Sequence, residues 1–131
     1  MIVEVKDNEQ FVPEWNGNKK LPAGEQIVIG FKALTCVSRK RIIPRQMIKF
    51  EYDKDGNAKG GSGEFSNDPE SVVRAAEGVQ IDNLSYEKNG KTIEIRTVAE
   101  LCSAPSVFHG LIQEFADHLI EKAREEIPEK N

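Results

Sequence analysis

The feature that most constrains this chain is an apolar stripe between about residues 106 and 126. Large apolar side chains recur there at intervals of three and four, which places them on one face of an α-helix. Such a helix is stable only when the rest of the fold covers that face, because helices gain most of their stability from packing. The stripe consists of Phe108, Leu111, Ile112, Phe115, Leu119 and Ala123.

A second helix and several strands are predicted to supply that cover. Asp68, Pro69 and Glu70 combine a capping side chain, a proline suited to the first turn and an early acid, so they predict a helix over about 68–79. β-Branched residues predict strands at 2–5 and 26–31, alternation predicts one at 47–52, and Asn89-Gly90 predicts a hairpin turn within 81–96. Residues 33–43 fit a strand or a helix.

These patterns predict an α+β fold. A strand-rich N-terminal half forms an antiparallel sheet, which is packed by the helix around 68–79 and the long amphipathic helix around 106–126. A chain of 131 residues fits one domain, so residues 1–131 are expected to form a single unit. Within it, the glycine-rich range 53–64 predicts a flexible loop, and the last residues predict a frayed tail.

Composition favours a cytoplasmic protein without cofactor or disulfide. The two cysteines, Cys36 and Cys102, are too few and too far apart for a disulfide scaffold. The first ten residues lack the basic and apolar regions of a signal peptide, and no stretch reaches the roughly 20 apolar residues that cross a bilayer.

The residues that resemble a metal site depart from the required pattern. Asp53, Asp55, Asn57 and Glu64 match positions 1, 3, 5 and 12 of a calcium-binding EF-hand loop. The sixth position is Ala58, where the sharp turn of that loop needs glycine, and the preceding segment alternates like a strand.

His109 and His118 are nine residues apart on the last helix and therefore point to opposite faces, so they do not form a zinc pair. The sequence predicts no metal, no cofactor and no catalytic residue.

Charge is distributed unevenly, and it defines candidate binding residues. Residues 1–50 carry a net charge of +4 and residues 51–131 a net charge of −8. The two halves can attract each other within one fold or between copies. The whole chain is acidic, which argues against nucleic acid as a binding partner. The candidate protein-binding residues are the basic cluster Arg39, Lys40, Arg41 and Arg45, the acids Glu121, Glu125 and Glu126, and the aromatic residues Phe11 and Trp15, which either anchor a partner or cover the core.

Two stretches carry a resemblance to a known family. FVPEWNGNKKLPAGEQIVIGFKA and NGKTIEIRTVAELCSAPSVFHGLIQEFADHLIEKAREEIPEKN together make up about half of the chain. They resemble small tail proteins of tailed bacteriophages and prophages, in particular the tail assembly chaperones of long-tailed phages. The resemblance implies a non-enzymatic protein of the bacterial host cell that binds tail proteins such as the tape-measure protein. It implies no catalytic residues. Many members of that family are predominantly helical, whereas this chain has a strand-rich first half.

A second function class remains open. The loop 53–64 or the basic cluster could be the contact of a bacterial ligand- or regulator-binding module. An enzyme is the third function class considered. Self-association through the opposite charges is also expected, and it should weaken as salt rises, because exposed charges are screened within about 8 Å at physiological ionic strength.

Overall fold

The computed structural model describes residues 1–43, 46–65 and 68–125, with only the backbone described at 46–52 and 58–65. It contains both helices and antiparallel strands, so the predicted α+β class is confirmed. Short 3₁₀ turns lie at Trp15–Lys20, Ala23–Glu25 and Ser106–Phe108. The strands are β1 Asn8–Phe11, β2 Val28–Lys32, β3 Gln46–Tyr52, β4 Ala58–Phe65, β5 Gln80–Asp82, β6 Ser85–Lys88 and β7 Lys91–Glu94, and the α-helices are α1 Cys36–Ile42, α2 Pro69–Ala75, α3 Val98–Cys102 and α4 His109–Glu125.

Within the described residues, the strands form three small antiparallel sheets, whereas the sequence predicts a single sheet. β1, β2 and β5 form one sheet in the order β1-β2-β5, and the pairs β3-β4 and β6-β7 are separate hairpins. Ile29 of β2 lies opposite Phe11 of β1 on one side and Ile81 of β5 on the other. The central sheet therefore combines strands from both halves of the chain.

The long helix packs as its apolar stripe predicts. Its α-helical part begins at His109, directly after the 3₁₀ turn that follows Pro105. Every residue of the stripe is buried, and α4 lies against α2 and α1. Phe115 is 0% exposed, and its ring centroid is 5.8 Å from that of Phe31 in β2. The core therefore lies between α4 and the three-stranded sheet, with α2 alongside.

Capping side chains explain where the short helices begin. Thr35 precedes α1, and its hydroxyl accepts a hydrogen bond from Ser38 N at 3.1 Å while Ser38 Oγ accepts one from Thr35 N at 2.8 Å. This reciprocal capping box resolves the ambiguity at 33–43 in favour of a helix. Asp68 caps α2 by accepting a bond from Ser71 N at 2.7 Å. The helix begins where predicted, but it ends at Ala75, before the predicted end near residue 79.

Two local predictions were wrong. In the described part of the chain, residues 2–5 belong to no strand and no strand pairs with them, and Ile2, Val3 and Val5 are exposed. The predicted loop at 53–64 is shorter, because Ala58–Phe65 pairs with β3 along its length. The glycines of β4 weaken strand propensity, but their backbones complete the ladder all the same. The predicted frayed tail lies outside the described residues.

The hairpin turn at Asn89-Gly90 is confirmed. Both residues have positive φ, 54° and 75°, which matches the turn that best joins two antiparallel strands. The hairpin is narrower than the predicted range 81–96, because β5 pairs with β2 instead. Ile81 N donates to Arg96 O at 2.9 Å, so the two ends of that range still touch.

Replacing Gly90 with valine should lower the free energy of unfolding by about 1–2 kcal/mol, because a β-branched side chain resists positive φ. A Cβ at this position meets no atom within 4 Å, so the cost comes from the backbone and not from a clash. Gly24→Val is the matched control, since Gly24 has equal open space and no positive φ. Chemical denaturation measures both variants, and equal stabilities would contradict the turn assignment.

Candidate protein-binding groove and neighbouring surfaces

The segment between β1 and β2 is organised by one buried amide. Asn18 is 2% exposed, and its Nδ2 donates to Pro13 O at 2.9 Å and to Ile27 O at 3.1 Å. Its Oδ1 accepts from Ile27 N at 2.7 Å. Asn16 and Gly17 reverse the chain just before it, with φ of 53° and 74°. The side chain thus closes a loop that would otherwise leave buried backbone groups unpaired.

This loop places Trp15 over the start of α4. The indole centroid lies 5.4 Å from the ring of Phe108. A Cβ on Gly110 would lie 3.2 Å from the indole nitrogen of Trp15, so glycine at this position leaves room for the indole. Phe11 is placed similarly, since its ring stacks on His118 at 4.1 Å and on Phe115 at 6.1 Å. Both predicted aromatic residues therefore cover the core, and both remain partly exposed.

An apolar groove opens to solvent beside Trp15. It has a volume of about 350 Å³. Two apolar residues of its lining form exposed walls, Leu21 at 45% and Val107 at 69% exposure, whereas Phe108 in the same lining is buried. A groove with such walls can take up an apolar side chain of another molecule, because burial removes apolar surface from water. The lining residues are Trp15, Asn16, Asn18, Leu21, Glu25, Ile27, Asn83, Leu84, Ser85, Val107 and Phe108.

Sequence reasoning found Trp15 but missed the other walls of this groove. Leu21 and Val107 are single apolar residues in polar surroundings, and they lie 86 positions apart in the sequence. Only the fold brings them together. An isolated exposed apolar residue is ordinary on a protein surface, so no pattern in the sequence could have marked either one.

The predicted charge cluster is engaged partly within the chain. Arg39 Nε donates to the carbonyl oxygen of Ala123 at 3.2 Å, which places a cation at the negative end of α4. Lys40 and Arg41 are exposed on α1, and Glu121 and Glu125 are exposed on α4. Arg45 and Glu126 lie outside the described residues. The structure therefore brings Arg39 to the end of α4 in one molecule, and a contact between copies through these charges stays a prediction.

His118 carries a lowered pKa, chiefly because burial disfavours its charged form and secondly because Lys122 is close. Glu121, Glu125 and Glu9 act in the opposite direction with smaller effects. The ring is packed between Phe11 and Phe31, with centroid distances of 4.1 and 6.1 Å. A proton on this histidine must therefore be held in a partly apolar environment.

We expect His118 to make the protein less stable at acidic pH. The folded pKa lies below the ordinary value of about 6.5, so the unfolded chain takes up a proton first as pH falls through that value. The contribution of the neutral His118 to the free energy of unfolding is complete above about pH 6.5 and is lost as the pH falls below that value. In His118→Gln, the difference in unfolding free energy between pH 7.5 and 5.5 should shrink. Urea denaturation at both values measures it, and an unchanged difference would contradict this assignment.

A cleft of about 400 Å³ brings a cysteine and a histidine together. Its lining includes Cys102, Ser106 and His109, together with Asp68 and Glu70. Sequence reasoning missed this group because its members come from separate segments. Burial raises the pKa of the Cys102 thiol, although Arg74 acts in the opposite direction. A catalytic cysteine needs a lowered pKa, so this environment disfavours nucleophilic chemistry.

The loop that resembles a calcium site connects two strands. Asp53 Oδ1 accepts hydrogen bonds from Asp55 N and Asn57 N, both at 2.9 Å, and β3 and β4 flank the loop where an EF-hand has helices. Within the described part of the chain, no three His, Cys, Asp or Glu side chains are grouped so that they could hold a metal ion.

Calcium titration of the protein should therefore give no micromolar binding. Asp53 already uses one carboxylate oxygen to hold the turn, and the alanine at position 58 replaces the glycine of a calcium loop. Isothermal titration calorimetry measures the binding, with Asp55→Ala as a control for any weak signal. A dissociation constant in the micromolar range that is lost in that variant would overturn the interpretation.

The remaining observations concern the whole chain. None of the helices within 1–43, 46–65 and 68–125 is both long enough and apolar enough to cross a membrane. Comparisons with known protein families, with curated proteins and with solved structures found no match to this chain.

Proposed function

We propose that this protein acts by binding another protein during assembly of a bacteriophage or prophage tail. It would serve as a tail assembly chaperone or as a minor structural component, in the cytoplasm of the bacterial host. The partner would be a tail protein such as the tape-measure protein. In this proposal the protein carries out no chemical reaction, and its activity is the docking of a partner segment.

The apolar groove beside Trp15 carries the proposal. Its walls expose Leu21 and Val107 to water, and its floor is formed by Phe108 and Leu84. The exposed and buried apolar residues of the lining suit one or two apolar side chains of a partner segment, and the lining also includes exposed polar residues such as Asn16 and Glu25. Apolar centres with polar rims are the usual arrangement of protein–protein contacts.

The phage-tail context rests on the resemblance of two stretches, and the groove is built from both. Residues 11–33 supply Trp15 and Leu21, and residues 89–131 supply Val107 and Phe108. Both segments that resemble tail proteins thus contribute to the candidate binding surface, and residues 83–85 between them contribute as well. This coincidence supports the proposal and directs the choice of variants.

Co-expression with tail proteins tests the proposal. The protein carries an affinity tag and is expressed beside the tape-measure protein and other tail proteins encoded near its gene. Val107→Glu places a charge at the groove wall, and it should reduce the amount of captured partner at least about tenfold. Gln113→Glu introduces the same charge on an exposed part of α4 outside the groove and should leave capture unchanged.

Each result of that experiment has a defined meaning. Capture by the parent protein and by Gln113→Glu, with loss in Val107→Glu, supports both the partner class and the groove. Equal capture by all three proteins removes the groove from the proposal. Failure to capture any tail protein, together with a gene neighbourhood of metabolic enzymes, overturns the tail function.

A ligand-binding module is the second candidate, and a polar cleft favours it. The cleft has a volume of about 790 Å³ and lies between residues 24–25, 80–85 and 94–96. Arg96 pairs with Glu94, and Asn83 Nδ2 donates to Gly24 O and Gln26 O, so several of its polar groups are already engaged. Melting curves with calcium, nucleotides and DNA test this candidate. A ligand at about 100 times its dissociation constant adds about 2.7 kcal/mol of stability.

A further inference from the structure

The groove beside Trp15 and the polar cleft of about 790 Å³ adjoin each other. Some residues line both, so these residues form the boundary between the two. They are Glu25, Asn83, Leu84 and Ser85. A partner segment that places an apolar side chain in the groove therefore lies next to the polar cleft, and the chemistry of that cleft bears on which segments can dock.

Hydrogen bonds hold this boundary in place. Asn83, which has a positive φ of 62°, donates from Nδ2 to Gly24 O at 3.2 Å and to Gln26 O at 2.9 Å. Glu25 lies between these two acceptors in the sequence, and its own backbone N donates to Pro22 O at 2.9 Å. The backbone that carries the Glu25 carboxylate is thus tied on both sides.

Backbone hydrogen bonds also hold the other side of the polar cleft. Ile81 N donates to Arg96 O and Ile95 N donates to Leu84 O, both at 2.9 Å. Both bonds join residues 81–84 to residues 95–96. A partner that enters this cleft meets an ordered surface, so little affinity is lost in ordering it.

The polar cleft carries unbalanced negative charge. Its described lining contains the acids Glu25, Asp82 and Glu94 and the base Arg96, which is a net charge of −2. Arg96 pairs with Glu94, so these two charges balance each other. Glu25 and Asp82 are exposed, and their carboxylates form no ion pair or hydrogen bond within the described part of the chain. The cleft therefore attracts positive charge.

We propose that the segment that docks on this surface is both apolar and basic, with an apolar side chain in the groove beside Trp15 and a lysine or arginine in the polar cleft beside Glu25 and Asp82. This inference rests on the docking proposed for the groove and specifies the chemistry of the partner segment. The same two acids disfavour an acidic segment, because like charges in a contact cost affinity.

The two clefts act together in this arrangement. An exposed carboxylate alone binds a cation weakly, because water and salt compete with the ion pair. A segment whose apolar side chain already occupies the groove holds its cation close to the acids, so the second contact forms at a high effective concentration. Burial of the apolar side chain supplies affinity, and the acids supply the preference for a basic segment.

Defined peptides test this chemistry without any tail protein. A basic pool consists of glycine and serine peptides of about twelve residues, each with one leucine and one lysine about one to four positions apart in either order. An acidic pool has glutamate in place of lysine, and a polar pool has serine in place of leucine. Trp15 is the single tryptophan and lines the groove, so its fluorescence reports binding of peptides that lack tryptophan.

The parent protein should bind the basic pool at least about threefold more tightly than the acidic pool at about 50 mM salt. This preference should shrink at about 500 mM salt, where exposed charges are screened more strongly. The polar pool should bind more weakly than the basic pool at both salt concentrations, because it has no side chain for the groove.

Charge reversal identifies the acids responsible. Glu25→Lys combined with Asp82→Lys should invert the preference, so that the acidic pool binds more tightly than the basic pool. The milder combination of Glu25→Gln with Asp82→Asn should abolish it. Glu4→Lys combined with Glu77→Lys is the control, since it changes the net charge as much as the first combination on exposed residues outside both clefts and should keep the parent preference. Circular dichroism checks the fold of each variant.

The results separate this inference from the proposed function. A parent protein that binds no pool up to about 2 mM peptide, or that binds the basic and acidic pools equally, overturns the inference. A preference that persists in both combinations at Glu25 and Asp82 also overturns it. Capture of tail proteins that Val107→Glu abolishes, without any preference for basic peptides, contradicts this inference alone. A confirmed preference for basic peptides without capture of any tail protein counts against the tail function alone.

Discussion

Replacing Phe115 with alanine should lower the free energy of unfolding by about 3–5 kcal/mol, the usual cost of removing a buried phenylalanine ring. The ring is 0% exposed and contacts Phe31 and Phe11, with centroid distances of 5.8 and 6.1 Å. Its removal leaves a cavity where α4 meets the three-stranded sheet. Since native proteins are stable by only about 5–15 kcal/mol, much of the total stability would be lost.

Urea or guanidinium denaturation measures this effect, with Gln113→Ala as the control. Gln113 lies on the exposed face of the same helix, so its replacement should change stability by less than about 0.5 kcal/mol. A loss below about 1 kcal/mol for Phe115→Ala would mean that α4 is not docked in solution as the structure has it.

Replacing Asn18 with alanine should cost about 2–4 kcal/mol, because it leaves buried backbone groups without partners. The side-chain amide is hydrogen-bonded to Pro13 O, Ile27 O and Ile27 N, and Asn18 is only 2% exposed, so water does not easily replace these bonds. The loop that positions Trp15 should loosen at the same time. The intrinsic fluorescence of Trp15, the single tryptophan, should therefore shift to longer wavelength before global unfolding.

Gln26→Ala provides a matched control for Asn18. Gln26 also donates from its side-chain amide to two backbone carbonyls, those of Lys19 and Leu21, at 3.2 and 3.0 Å. These bonds are exposed, so water can replace them and the cost should stay below about 1 kcal/mol. Similar losses for the two variants would show that burial of Asn18 is not the source of its contribution.

Local patterns predicted the helices well because a helix is encoded by neighbours in sequence. The stripe around Phe115 specifies both the extent of α4 and its buried face, and the cap at Asp68 specifies where α2 begins. Strands depend on distant partners, and the errors follow from this. Residues 2–5 have strand propensity but no partner strand among the described residues, whereas β4 has poor propensity and still pairs with β3.

The candidate site was predictable only in part, for the same reason. Trp15 was recognisable as an aromatic residue that could anchor a partner, but Leu21 and Val107 become groove walls only through the fold. Nothing in the local sequence indicates that the side chain of Asn18 is buried and fully hydrogen-bonded. Arg39 was predicted to meet the acidic half, and the structure gives it a backbone carbonyl of α4 as a partner.

The contacts between α4 and the first 40 residues have a consequence for folding kinetics. Glu14 N donates to a carboxylate oxygen of Glu114, 100 positions away, and Arg39 reaches Ala123 across 84 positions. Lys122 also pairs with Glu9 at 3.5 Å. Contacts that join such distant positions slow folding, because the chain must close a large loop before they form. During synthesis, the sheet formed by β1, β2 and β5 therefore waits for α4, and its apolar face stays open to other partners until α4 has been made.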